Sequence, residues 1–136
     1  MIFDTKIAVV VRADLAVWQK LNVTAFLAGG LAGPSPEIVG KPYRDGSGTL
    51  YGPLIRQPVM VFEASADELA RTRRRALDRG LVPAIFTADL FATGNDDDNR
   101  AAVAAVEAEA LDLVGLALHD DRKAVDKVIK GLRLHR

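Results

Sequence analysis

The sequence predicts an α/β protein in a three-layer sandwich, a sheet held between two layers of helices. Three observations carry this. Short apolar runs such as Ile7 to Val11 and Val59 to Phe62 read as strands covered on both faces. The stretches between them place apolar residues at helical spacing, and the two patterns alternate to the end of the chain. The 136 residues make one domain, 1–136, long enough to bury roughly two-thirds of the surface of the unfolded chain.

Ile7 to Val11 is too short for a helix and too uniformly apolar for a surface strand, so it reads as a central strand with Arg12-Ala13-Asp14 at its exit. From Leu15 to Leu31 a helix is predicted, with Leu15, Trp18, Leu21, Ala25, Leu27 and Ala28 facing inward, which makes Trp18 a core residue. Gly29-Gly30 and Gly33-Pro34 close it. Each glycine costs a helix about 1 kcal/mol relative to alanine, so the pair either admits another backbone or ends the helix early. Residues 34–53 hold most of the prolines and glycines, and within them Tyr43 and Tyr51 flank the turn signal Arg44-Asp45-Gly46-Ser47-Gly48. So long a loop is functional or mobile.

Val59 to Phe62 is the second strand, and Ser65-Ala66-Asp67-Glu68 is a capping box that opens a helix to about Asp78. Leu81 to Thr87 is the third strand, in which Pro83 marks an edge or a bulge. Asn95 or Asp96 caps a helix to about Ala108. The fourth strand, Leu111 to Leu118, has Gly115 at its centre, and His119-Asp120-Asp121 caps a last helix with Val125, Val128 and Ile129 inward. Leu132 to Arg136 is read as a short tail.

Composition narrows the classes of function. Without cysteine there are no disulfides, thiolate nucleophiles or cysteine-held metals, as expected of a cytoplasmic protein. Lys plus Arg and Asp plus Glu balance at 18 each, so no global field gathers nucleic acid. The apolar runs are too short to span a membrane, and Met1 to Lys6 leads straight into a strand-like run rather than a signal peptide.

The densest polar stretch is Phe86 to Arg100, where an apolar run ends in an acid, a hydroxyl, a glycine and a polar cluster. Asp89 and Thr93 lie just past a strand end, where open α/β sheets place ligand sites; both also suit local turn capping. The consecutive acids Asp96, Asp97 and Asp98 lack the alternation, glycine and distal glutamate of a calcium loop, so capping is expected there, with no metal and no cofactor. His119 has no serine partner evident along the sequence.

Two segments carry a family likeness. Lys6 to Leu15 and Leu113 to Leu134, the latter including Val125-Asp126-Lys127-Val128-Ile129-Lys130-Gly131-Leu132, resemble the two ends of the peptidyl-tRNA hydrolase 2 fold. Over nearly its full length the chain resembles the bacterial family known as domain of unknown function 2000, through Gln57-Pro58, Leu90-Phe91-Ala92-Thr93-Gly94-Asn95, Asn99-Arg100 and the same Val125 to Leu132 segment. The resemblance implies a four-stranded mixed sheet and no established activity. The hydrolases carry a lysine and a histidine on the first helix where Asn22 and Gly29 stand here, whereas their aspartate followed by a threonine is matched by Asp89 and Thr93.

Three functions are therefore in view. The first is a small or nucleotide-like ligand held by Asp89, Thr93, Asn95 and Asn99, with Arg12 and Asn22 beside it and Tyr43 or Tyr51 closing over it. The second is a divergent hydrolase of acyl or peptidyl esters with Asp89 as base. The third is a non-catalytic homo-oligomer or protein-interaction module in which Leu50, Leu54 and Ile55, exposed on the long loop, form a dimer surface.

Overall fold

The computed structural model describes residues 2–136. At its centre is β1 (Thr5–Arg12), every residue of which from Ile7 to Val11 is buried. β2 (Tyr43–Arg44) and β3 (Leu50–Tyr51) form a separate hairpin. β4 (Val59–Ala64), β5 (Ala84–Thr87), β6 (Leu113–Asp121) and β7 (Arg133–Leu134) complete a five-stranded sheet in the order β5-β6-β1-β4-β7. β1 runs parallel to β4 and antiparallel to β6, and β5 and β7 are antiparallel edge strands. The sheet is mixed, as the family likeness implies, but has five strands instead of four. The fifth comes from the C-terminal tail, where Leu134 pairs with Phe62 and Arg133 with Glu63. Two residues are too few to show the period-2 pattern by which a strand is recognised.

The alternation along β1 divides the core. Ala8 and Val10 face α2 (Ala66–Asp78) and α4 (Arg122–Val128), meeting Leu69, Ala76, Val125 and Val128. Ile7, Val9 and Val11 face the other way, onto Val23, Leu27 and Leu31 of α1 (Val17–Ala32) and onto Ile38. Each valine, leucine or isoleucine among them contributes roughly 1.5–3 kcal/mol on burial, so both helical layers are held chiefly by the central strand.

Other boundaries moved for local reasons. α1 begins at Val17 and runs through Gly29 and Gly30 to Ala32. A Cβ at either glycine would meet nothing within 4 Å, so the pair neither ends the helix nor admits a second backbone. The buried stripe is Val23, Leu27 and Leu31, not the one containing Trp18, which is 62 % exposed; Val17, Leu21 and Phe26 are exposed as well. Two adjacent apolar stripes compete along this helix, and spacing does not say which of them meets the sheet. Pro83 precedes β5, which is indeed an edge strand with a register shift at Phe86/Thr87. Asn95 caps α3 (Asp96–Ala104), accepting from the Asp98 N–H at 2.8 Å; the helix stops four residues short of expectation and none of its residues is buried.

β6 extends through His119 and Asp120, leaving Asp121 alone to cap α4. His119 does find a serine: Ser35 Oγ lies 3.0 Å from its Nδ1, and Thr5 Oγ1 lies 3.0 Å from its Nε2. Buried Gln57 donates through its Nε2 to Thr5 Oγ1 at 3.3 Å. Ser35 and His119 are 84 positions apart and join the segment after α1 to the sheet, so only tertiary structure reveals the contact.

Among the described residues, no helix is long and apolar enough to cross a membrane.

Candidate functional site

The ends of β1, β4 and β5 that lead into α1, α2 and the turn after β5 lie on one side of the sheet, because these three strands run in the same direction. After β5 the chain makes a 3-10 turn, Ala88–Ala92, and then enters α3. An open cleft separates this segment from α1. One part, about 390 Å³, is lined by Trp18, Asn22 and Phe26 of α1, by Phe86, Leu90 and Phe91, and by Thr93 to Asp96 with Asn99. A second part, about 570 Å³, shares Phe26, Phe86, Leu90, Asp96 and Asn99 and continues along α3 to Val103. Both fall within the range of small-molecule sites.

One wall is aromatic. Trp18 and Phe91 meet edge to face with centroids 5.9 Å apart, Phe91 and Phe86 lie at 5.1 Å, and Phe86 meets Phe26 at 5.9 Å. The polar residues hold one another in place. The one proton of the Thr93 hydroxyl is shared between two acceptors, Asn99 Oδ1 and the Leu90 carbonyl oxygen 2.9 Å away. Arg100 pairs with Asp96 and with Asp97 Oδ1 at 2.5 Å; these contacts, that with Asp96 foremost, raise the pKa of its guanidinium. Asn99 and Arg100 thus brace the loop by which the chain passes from β5 to α3.

The residues singled out in the sequence divide. Asn22, Thr93, Asn95 and Asn99 converge on the cleft. Asp89 is exposed on the 3-10 turn and is not part of the lining. Arg12 turns away to Asp14 and Asp112, both at 2.7 Å, and its pKa is raised, first by Asp14. Tyr43 and Tyr51 face each other across the β2–β3 hairpin, an exposed arm outside the cleft lining. There Asp45 accepts from the Tyr51 hydroxyl at 2.8 Å, the chief reason its carboxyl is held below the ordinary range, followed by the Thr49 N–H. Of the apolar loop residues, Leu50 and Leu54 are exposed, whereas Ile55 packs against the core.

Periodicity assigned Trp18 to the core and left Phe26, Phe86 and Phe91 without a role beyond packing. A helix carrying two apolar stripes was the available signal, since one of the stripes must face something other than the sheet.

Thr87 lies where β5 ends, and its hydroxyl is buried with no hydrogen-bond partner among the described residues. An orphaned hydroxyl costs roughly 1–3 kcal/mol. Thr87→Val keeps the shape and removes the unmet group, so it is expected to stabilise the protein by about 1 kcal/mol. A lower melting temperature for the variant would refute this.

Fold and cleft together define a mixed-sheet α/β protein with an aromatic-walled cleft between its first and third helices. The chain belongs to the family described as "Protein of unknown function (DUF2000)", whose model matches residues 5–136. It is similar to a solved structure of a protein of unknown function from Agrobacterium tumefaciens, with 47 % sequence identity and a TM-score of 0.96 over 99 % of this chain and 100 % of that one. A comparison with curated proteins found no match.

Proposed function

We propose that the protein binds a small ligand with a planar or apolar body, such as a nucleobase-like ring, in the cleft between α1 and α3. The supporting observation is the convergence of Asn22, Thr93, Asn95 and Asn99 opposite Trp18, Phe26, Phe86 and Phe91. Aromatic faces supply apolar contact, and amides and a hydroxyl supply donors and acceptors without fixed charge. A screen of small metabolites read by the fluorescence of Trp18, the only tryptophan, tests it. Asn22 is exposed on α1, so Asn22→Ala should leave the fold intact and weaken a true cleft ligand by about tenfold, the loss of one buried hydrogen bond. A screen without hits, or a hit indifferent to Asn22→Ala, counts against the reading.

A divergent ester hydrolase with Asp89 as base is less well supported. Asp89 lies outside the cleft lining, Asn22 and Gly29 stand where the hydrolases carry a lysine and a histidine, and among the described residues the cation lining the cleft, Arg100, is paired with Asp96 and Asp97 and not free to meet a developing oxyanion. The likeness to the hydrolase fold supports the position of the site more than its chemistry.

Exposed apolar side chains favour a second, compatible reading, a homodimer through the β2–β3 arm. Leu50 and Leu54 are 59 % and 65 % exposed, and a two-stranded hairpin is barely stable alone in water. Leu50→Glu should turn a dimer into a monomer in analytical ultracentrifugation; a monomeric wild-type protein would dismiss the idea.

A further inference from the structure

We propose that the cleft selects an organic cation, an amine or quaternary ammonium carried on an apolar body, and rejects anions of the same size. This rests on the reading of the cleft as a ligand site and adds the charge of what it takes.

The aromatic wall is the first ground. Four rings run in contact from Trp18 through Phe91 and Phe86 to Phe26. Trp18 is 62 % exposed, so its ring remains open to a ligand at the cleft. Aromatic faces carry the negative lobe of a quadrupole, and a cation held over them gains energy that a neutral isostere does not.

The charges at the cleft are the second ground, and they are complementary to a cation. Asp96 lines the cleft and Asp97 and Asp98 follow it in the first turn of α3, against one cation on that wall, Arg100. Arg100 is committed to Asp96 and Asp97, so it has little left to offer an incoming anion. Arg12 is committed to Asp14 and Asp112, and Lys20 Nζ lies 3.0 Å from His135 Nε2, away from the cleft. The N-terminus of α3 would ordinarily attract an anion, but its first turn already carries three aspartates and Asn95 caps it. A phosphate or carboxylate would therefore enter beside like charges and without a counter-ion. A nucleotide is disfavoured while a nucleobase-like ring bearing an amine is not.

The test titrates the protein with three probes of similar size: benzyltrimethylammonium, benzyl alcohol and phenylacetate, each followed by Trp18 emission. Benzyltrimethylammonium is expected to bind roughly 3- to 30-fold more tightly than benzyl alcohol, the range of a cation–π contact, and phenylacetate to bind most weakly. The preference should shrink as salt is raised. Arg100→Gln, which frees Asp96 and Asp97, should tighten the cation several-fold, and Asp96→Asn with Asp97→Asn should loosen it; circular dichroism confirms that each variant is folded. Equal binding of the cation and the alcohol, or tightest binding of phenylacetate, overturns the charge preference and leaves the ligand site standing. No response to any probe removes both.

Discussion

Gly115→Val is expected to destabilise the protein by about 3 kcal/mol, the upper part of the range for an overpacked core. Gly115 lies on β6 beneath α1. A Cβ built there would overlap Val23 Cγ1 and lie 2.9 Å from Leu27 Cδ1, both on the stripe that holds the helix to the sheet. The Val10 carbonyl is 3.5 Å away, already in van der Waals contact. Neither the central strand nor the helix can yield without opening the core they share, so the added carbons lift α1 away from the sheet. At roughly 4 °C per kcal/mol, the loss should be plain in thermal unfolding. Gly115→Ala should cost less, and Val23→Ala should recover part of that cost in the double variant, since the two positions touch. A Gly115→Val protein as stable as the wild type would mean that α1 does not pack as described. Because α1 forms a wall of the cleft, such a variant should lose ligand binding as well.

Ile38→Ala should be of similar or greater effect, about 2–5 kcal/mol. Ile38 is fully buried although it belongs to the long excursion between α1 and β4. It packs with Ile7, Val9 and Leu31 in the core beneath α1. The backbone around it closes the base of the excursion: the Arg56 N–H donates to the Ile38 carbonyl at 2.8 Å, and the Gly40 N–H donates to the Leu54 carbonyl at 2.8 Å. Beyond that base, residues 41–54 are all exposed. Removing the Ile38 side chain therefore leaves a cavity in the core and loosens the base by which the β2–β3 arm is attached. Urea denaturation measures the first effect, and amide exchange, faster in residues 40–55 than elsewhere, the second. A cost below about 1 kcal/mol, typical of a surface position, would show that the excursion is not anchored in the core.

How far the molecule is legible in its sequence follows from the range of the forces involved. Strands announce themselves through runs of apolar residues, and Ile7 to Val11 and Val59 to Phe62 lie within β1 and β4, although only the first run is buried throughout and Val59, Met60 and Val61 are half-buried. Caps are local hydrogen bonds and are equally visible: Ser65 with Glu68 forms the expected box, and Asn95 caps α3. Even the edge position of β5 could be read from Pro83, which has no N–H to give a neighbour. The stripe by which α1 meets the sheet was not legible, because two apolar stripes lay side by side and the choice between them is made by the strand surface beneath.

The candidate site divides in the same way. That a polar cluster follows a buried run from Phe86, and that Thr93, Asn95 and Asn99 belong together, was determined by the sequence alone, since turn and cap residues act on near neighbours. Only the tertiary structure decided that Asn22 joins them across the cleft while Arg12, Tyr43, Tyr51 and Asp89 do not line it. It alone also placed Trp18 in the cleft, brought Ser35 to His119, and made an edge strand of the C-terminal tail. Each of these depends on which surfaces meet after the chain has folded, and an apolar or polar residue carries no record of which distant neighbour will cover it.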